Sequence, residues 1–329
     1  SIIEGSSNNY PVFSQYDYTW VGRASLISEL LEKLNNNCRL LMLLGITGIG
    51  KTALAECLTE KLYIDCLQEN SKRFLIENFD DDKKSCDFTS TAIRWLEKWG
   101  ETIFENDRKD NLILPRLVHK LRDERYLVLL DSVEITLEGN EEQGWSDFKD
   151  QKWVEFFDAY LSLEDCQSKI IITSQEFPRQ INAKYKNFWH DYLLKGLTPL
   201  EQLELFDKTG LEVDEDSLNR PYLVRIGKVY EGHPLALKVI SGEICSEKFN
   251  GDVSIYWDEY GKEIEAVEKA IEEAKTKGIV SGKDDRDKWR LASFTKELRS
   301  RVRKRLEVTF ERLRNDSFKA YYLLCAAAT

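Results

Sequence analysis

Residues 45–52 read GITGIGKT, and they directly follow the apolar run LLMLL at 40–44. The eight residues fit the pattern GxxxxGK[ST], whose glycines let backbone N–H groups turn inward on phosphate oxygens. In this pattern Lys51 reaches the terminal phosphates and Thr52 can ligate Mg²⁺. The leucines that follow recur every fourth position, as in a helix. The stretch therefore predicts a phosphate-binding loop between a buried strand and a helix.

Four further short apolar runs have the continuous Leu, Ile and Val character of strands that are buried on both faces. Helical patterns separate these runs, as in Trp153, Phe156, Phe157 and Tyr160. Strands that alternate with helices predict an α/β domain with a parallel five-stranded sheet and flanking helices. We expect its functional loops at the carboxyl ends of the strands. The four runs are residues 74–76, 126–130, 169–172 and 192–194.

After Gly196 the strand patterns stop and the apolar spacing becomes helical. A charge-rich stretch with two glycines at 275–288 is the best candidate linker. We therefore expect an α/β domain over 1–196, a helical domain over 197–290 and a further segment over 291–329. The helical patterns are residues 199–209, 218–231, 234–249 and 262–277, followed by a last one from Leu298 to Leu313.

Composition limits the classes of partner. The chain has 47 Lys and Arg against 58 Asp and Glu, a net charge of −11, which argues against a general grip on nucleic acid or on an anionic membrane. No apolar run approaches the ~18 residues that a membrane span needs. Seven scattered cysteines without metal spacing predict free thiols in a reducing cytoplasm. Because the chain begins at Ser1 without Met and stops within LLCAAA, we expect it to be a piece of a longer protein.

Two strand ends carry candidate partners for the phosphate loop. YLVLLD at 126–131 ends in Asp131, which can bind the water shell of Mg²⁺. KIIITS at 169–174 ends in hydroxyls, and Thr173 or Ser174 would lie near the terminal phosphate if this strand lies between the other two. The alternative for each hydroxyl is that it only caps a strand.

Two further motifs accompany these. WVGR at 20–23 precedes the phosphate loop by about the length of one helix, and GHPLAL at 232–237 places a proline in the first turn of a helix. Together with LTPLEQLELF at 197–206, the ordered set resembles the nucleotide-binding region shared by plant disease-resistance proteins, the apoptotic protease-activating factor and many bacterial regulators. This is the NB-ARC type of STAND ATPase, and the resemblance runs from about Val21 to Leu324.

The resemblance implies a P-loop NTPase domain, an all-helical domain and, over 291–329, the truncated start of a winged-helix domain. It also implies a molecular switch that is off with bound ADP and on with bound ATP, and that controls self-association in signalling. Mg²⁺ would accompany the nucleotide. Effector and sensor domains would lie outside this fragment.

The resemblance also implies site residues, at the positions of this sequence that match the family's motifs. Val21, Gly22 and Arg23 would contact the adenine and its surroundings, Pro234 would pack on the base, and Lys238 would reach the ribose or a phosphate. Plainer alternatives are a surface charge for Arg23, an ordinary helix start for Pro234 and a solvated Lys238. We expect structural roles for His119, His190 and His233. The remaining nucleotide contacts would come from Gly45, Thr47, Gly48, Ile49, Gly50, Lys51, Thr52, Ala53 and Ser174, and Thr52 and Asp131 would hold the metal.

The sequence departs from the family at two strand ends. Where many members have a second acid and an arginine, this chain has Ser132 and Gln175. Glu134 is then the nearest candidate base beside Asp131, and Arg179 is an alternative sensor of the terminal phosphate. Since losing a positioned base costs ~10² to 10⁴ in rate, we expect a weak ATPase that acts mainly as a switch. The alternative is a turnover ATPase of the motor or DNA-loading type.

Overall fold

A computed structural model of the chain describes residues 20–66, 73–109, 111–140 and 145–276. These residues form two compact units. The first unit comprises the described residues of 24–44 and 51–193, and the second comprises 20–23, 45–50 and 194–276. The predicted winged-helix segment at 291–329, and all but the first two residues of the predicted linker, lie outside the described residues.

The first unit is built on a parallel five-stranded sheet in the order β2-β3-β6-β1-β7, which confirms the predicted fold class. Every residue of β1 and β6 is buried, as the continuous apolar runs predicted. Because β6 lies between β1 and β3, its hydroxyl-bearing end lies beside the ends of both. The strands are β1 Leu40–Leu44, β2 Phe74–Asn78, β3 Leu127–Asp131, β4 Leu137–Asn140, β5 Trp145–Phe148, β6 Lys169–Ser174 and β7 Trp189–Leu193.

Helices flank this sheet. Two of them begin at aspartate caps, because Asp87 accepts the Ser90 N–H at the start of α3 and Asp150 accepts the Lys152 N–H at the start of α6. The aromatic residues of α3 and α6 supply much of the core, and Trp95 packs against Trp153. The helices are α1 Ala24–Asn35, α2 Lys51–Cys66, α3 Phe88–Lys98, α4 Glu105–Lys109, α5 Ile113–Asp123 and α6 Gln151–Leu161.

Sequence reasoning missed a β-hairpin. Strands β4 and β5 pair antiparallel in the stretch between β3 and α6, where the sequence analysis identified no strand. The Ser146 N–H donates to Phe177 O over 3.4 Å, and the Arg179 N–H donates to Ser146 O over 3.1 Å. The hairpin therefore packs on the loop that follows β6. Both strands have four residues of mixed polarity, which gives no periodic signal.

The longest segment of the second unit, residues 194–276, contains helices α7 to α10. Helix α7 begins with a capping box in which the Thr198 side chain accepts the Glu201 N–H and Glu201 accepts the Thr198 N–H. The last helix of the described residues begins at Val253, earlier than the predicted 262, because the Asp252 carboxylate accepts the N–H groups of Ser254 and Ile255. The helices are α7 Pro199–Lys208, α8 Arg220–Val229, α9 Pro234–Ile244 and α10 Val253–Thr276.

Within the described ranges, no helix combines the length and the apolar character that crossing a bilayer requires.

Candidate functional site

Asp131, at the carboxyl end of β3, accepts two hydroxyl hydrogen bonds in the first unit. Thr52 Oγ1, in the first turn of α2, lies 2.9 Å from Asp131 Oδ1. Thr173 Oγ1, on β6, lies 2.5 Å from the same oxygen and also accepts the Ser132 N–H over 3.0 Å. The Thr173 hydroxyl therefore both donates and accepts a hydrogen bond, and the residue is 1% exposed. These bonds fasten the ends of β3 and β6 to the start of α2.

The donor set of Thr52 and Asp131 fits Mg²⁺. When the Thr52 hydroxyl donates a hydrogen bond to Asp131, the lone pairs of the hydroxyl oxygen remain available to a cation. Mg²⁺ is usually held by one or two protein oxygens together with water and the phosphates of a substrate. Asp131 would then act through the water shell, as the sequence predicted.

The carbonyl groups of the phosphate loop are held from outside the loop, in the second unit. Thr47 O lies 2.8 Å from His233 Nε2, Gly48 O accepts the Leu235 N–H over 3.3 Å, and Ile49 O accepts Arg23 Nη2 over 2.8 Å. In a planar trans peptide the N–H points opposite to the C=O. The amides that follow Thr47 and Ile49 therefore point away from His233 and Arg23.

Gly48 requires the absence of a side chain. Its φ is +75°, and a Cβ built there would lie 2.8 Å from His233 Cε1 and 2.7 Å from Leu235 Cδ2. Gly50, with φ of +95°, would bring a Cβ to 3.1 Å from Arg23 Nη1. The glycines of the motif thus allow the loop to approach both the VGR and the GHPLAL segments closely.

Arg23 is buried, so the alternative of a surface charge is wrong. The side chain is 8% exposed, and Nη2 also donates to Lys195 O over 3.2 Å. The backbone of Arg23 is left-handed, with φ of 59°, and its N–H donates to Glu201 Oε1 over 2.7 Å. Burial raises the pKa of Glu201, but hydrogen bonds from the N–H groups of Thr198 and Arg23 more than offset it and hold this pKa below its ordinary value.

The other predicted nucleotide residues lie on the elements expected. In the first unit, Lys51 is buried, Ala53 is half-buried in α2, and Ser174 is buried at the end of β6. In the second unit, Val21 is 5% exposed within the apolar core. Four more residues lie in the second unit: Gly22 with φ of +61°, buried Gly45, and half-buried Pro234 and Lys238. Their roles toward a nucleotide stay predictions.

Glu134 is close to the end of β6. Ser132 takes a left-handed conformation, with φ of 60° and ψ of 44°, and a 3-10 helix over Val133–Thr136 follows. This turn places Glu134 Oε2 3.3 Å from the backbone nitrogen of Gln175, from which it accepts a hydrogen bond. Arg179 instead makes a bidentate ion pair with Asp147, over 2.7 and 2.6 Å.

Sequence reasoning missed the contribution of His233. Its ring is 1% exposed and contacts the phosphate loop at Thr47, while Nδ1 accepts the Ala236 N–H over 3.2 Å at the start of α9. A polar residue directly before a proline at the first helical position is a signal for such a cap. The contact with Thr47 has no local signal.

Two curated proteins are similar to this chain. An uncharacterized WD repeat-containing protein from Nostoc sp. is 30% identical over 230 residues, or 66% of this chain. A disease resistance-like protein from Arabidopsis thaliana is 24% identical over 256 residues, or 72% of this chain. The matched regions cover 17% and 18% of these relatives, so the chain corresponds to a small part of each. No protein-family model matches the chain.

Solved structures with a similar course of the backbone include a signal-transduction ATPase with numerous domains and a tetratricopeptide repeat sensor from Pyrococcus horikoshii. It is 22% identical, with a TM-score of 0.46 over 70% of this chain and 32% of that chain. The ORC2 protein of Aeropyrum pernix is 15% identical, with a TM-score of 0.47 over 73% of this chain and 71% of that one.

The motif order and the two sequence relatives agree with one another, and the parallel sheet places Thr52 and Asp131 together as the motifs require. The predicted resemblance is therefore confirmed: this chain has the α/β fold of the P-loop NTPase type, resembles the NB-ARC type of STAND ATPases, and is similar in sequence to a WD repeat-containing protein and a disease resistance-like protein.

Proposed function

We propose that this chain is an adenine-nucleotide-dependent switch, off with ADP and on with ATP, with slow or negligible hydrolysis. The observation that carries the proposal is the bonding of the phosphate loop to the GHPLAL segment, through Thr47 O with His233 Nε2 and through Gly48 O with the Leu235 N–H. A switch requires that another part of the protein respond to whether the bound nucleotide is ADP or ATP. These bonds join the phosphate-binding backbone directly to the start of α9.

The same residues describe how a nucleotide would be held. The amides of the loop and Lys51 would bind the phosphates, Thr52 would ligate Mg²⁺, and Asp131 would hold the water shell of the ion. Pro234 and Val21 would flank the base, and Lys238 would reach the ribose or a phosphate. The choice of adenine rests on the resemblance.

The ends of β3 and β6 support the proposal of weak hydrolysis. The position after Asp131 carries a serine in a left-handed conformation, and Glu134 already accepts the Gln175 N–H. Gln175 brings no positive charge to a terminal phosphate. Without a positioned base the rate falls by ~10² to 10⁴, which suits a protein that holds one nucleotide for a long time.

The switch works only through a difference in affinity. A ligand can shift a conformational equilibrium by no more than its difference in binding free energy between the two states. Self-association, a signalling output and a cytoplasmic location belong to the proposal, and the effector and sensor domains would lie outside this chain. The domain limits at 196 and 290 are also part of the proposal.

A turnover ATPase of the motor or DNA-loading type is the second candidate. The position of Glu134 favours this candidate. Its carboxylate accepts the backbone N–H of Gln175, which directly follows β6, the strand that bears Thr173. Such an enzyme would complete multiple turnovers per minute, whereas the switch would not.

The test is nucleotide binding by the purified chain. We expect mass spectrometry to find ADP released on denaturation, and calorimetry to find that Lys51→Ala weakens ADP binding roughly 10- to 150-fold, the effect of a charge-assisted contact of ~1.5–3 kcal/mol. Lys61→Ala is the matched control, because Lys61 is an exposed lysine on the same helix. An empty protein without ADP affinity, or a Lys51→Ala variant that binds as tightly as wild type, contradicts the proposal.

A further inference from the structure

Both ring nitrogens of the buried His233 make hydrogen bonds. Nδ1 accepts the Ala236 N–H over 3.2 Å, and Nε2 lies 2.8 Å from Thr47 O. A carbonyl oxygen can only accept, so the proton must be on Nε2, and Nδ1 must carry none in order to accept from a backbone amide. The contacts therefore fix the neutral tautomer with its proton on Nε2.

We propose that His233 is a positioning residue for phosphate binding. By donating to Thr47 O, its Nε2–H holds that carbonyl away from the phosphate side, and the planar peptide then turns the Gly48 N–H toward the phosphates. The inference rests on the proposed nucleotide-binding function and adds to it a residue that acts through the loop without touching the nucleotide.

The geometry supports a direct effect of the ring on the loop. His233 Cε1 lies only 2.8 Å from the position that a Cβ of Gly48 would take, so the ring packs on the loop itself. The neighbouring carbonyls are held by the Leu235 N–H and by Arg23. His233 and Arg23 hold the loop with side chains, and His233 does so next to Gly48.

Two substitutions separate the two hydrogen bonds of His233. In asparagine the side-chain oxygen is as many bonds from Cα as Nδ1, so His233→Asn keeps the helix cap but does not reach Thr47. In glutamine the amide nitrogen is as many bonds from Cα as Nε2, so His233→Gln keeps the donor to Thr47 and loses the favoured cap. A purely structural histidine would not distinguish these variants in phosphate binding.

The experiment measures ADP binding with Mg²⁺ by calorimetry, displacement of ADP by inorganic pyrophosphate, and thermal unfolding without nucleotide, all on the full chain. His233→Asn keeps the helix cap and should lose less thermal stability than His233→Gln, yet bind both ADP and pyrophosphate roughly 3- to 10-fold more weakly than the wild type, the range of one net hydrogen bond. His233→Gln should unfold at a lower temperature and bind both more tightly than His233→Asn.

Asp252→Ala is the control for a lost helix cap, because Asp252 caps α10 through Ser254 and Ile255. It should lower the unfolding temperature and leave ADP affinity unchanged. Wild-type affinity in His233→Asn, or a loss of affinity in all three variants that only follows their loss of stability, overturns the role of His233. A wild-type protein that binds neither ADP nor pyrophosphate would instead show that the proposed function is wrong.

Discussion

The Thr52 hydroxyl donates to the Asp131 carboxylate over 2.9 Å, although the two residues are 79 positions apart in the chain. The bond joins the helix that follows the phosphate loop to the strand end that carries the acid. It also leaves the hydroxyl oxygen available to a cation, which is how two residues from separate elements would share one Mg²⁺ ion.

Replacing Thr52 should separate metal binding from nucleotide binding. In Thr52→Ala the hydroxyl ligand is lost, so Mg²⁺ should no longer increase ADP affinity, while binding in EDTA should stay near that of the wild type. Calorimetry with and without Mg²⁺ measures both. Thr52→Ser retains the hydroxyl and should behave as wild type, and a Thr52→Ala variant with a full Mg²⁺ effect would remove Thr52 as a ligand.

Thr173→Val should destabilise the first unit. The valine has nearly the same shape but leaves the half-buried Ser132 N–H without its acceptor and Asp131 without one donor, at a cost of about 1–3 kcal/mol in the free energy of unfolding. Urea denaturation measures it. Thr59→Val is the matched control, because the buried Thr59 hydroxyl only donates to the carbonyl of Ala55, one turn back in α2. Equal losses in both variants would contradict a special role for Thr173.

Glu134→Gln tests the base. The glutamine oxygen can still accept the Gln175 N–H, so the fold should be unchanged. For a switch we expect the slow release of phosphate from ATP to change little, since no positioned base is being removed. A fall of ~10² or more in single-turnover rate would identify Glu134 as the general base and favour the turnover ATPase.

Arg23→Ala should lower both stability and nucleotide affinity. Removing the guanidinium leaves Ile49 O without its buried donor, and charge-assisted hydrogen bonds of this kind contribute about 1.5–3 kcal/mol. Denaturation and ADP calorimetry measure the two effects. Arg179→Ala is the control, because Arg179 is exposed and its ion pair with Asp147 should contribute about 0–1 kcal/mol. Similar results for both arginines would refute the importance of the Arg23 contact.

Stability should fall at alkaline pH through Cys38. Burial raises the pKa of this thiol from 9.0 to about 11, against the opposing charge of Lys169. Between these values the unfolded chain loses the proton and the native chain keeps it, so the unfolded state binds fewer protons and stability decreases as pH rises. Denaturation from pH 8 to pH 11 should show a loss on the order of 2 kcal/mol that Cys38→Ala lacks. Identical slopes in both proteins would rule out this thiol as the cause.

The sheet and the phosphate loop were predictable because their signals are local. A strand buried on both faces must be apolar throughout, as in β1 and β6, and the loop needs glycines at fixed spacing. Asp131 was predictable for the same reason, since it ends such a strand. The hairpin of β4 and β5 was not, because its short strands alternate weakly in polarity.

The contacts of Arg23 and His233 could not be predicted from spacing. They lie 26 and 186 positions from the loop carbonyls that they bind, and they depend on the direction in which those carbonyls point. Backbone direction in a loop is set by the whole tertiary structure, so a buried arginine and a surface arginine look alike in sequence. The same is true of a cap histidine and a loop-binding one.

The left-handed backbone at Ser132 limits how this chain can change during evolution. With φ of 60° the position strains β-branched residues, whereas glycine, asparagine and aspartate adopt this conformation with less cost. Of the two acidic residues, aspartate is therefore the one that the existing backbone admits most readily. A second carboxylate beside Asp131 is therefore one substitution away without any change in the path of the chain, and the fold itself would not impose the slow hydrolysis that we propose.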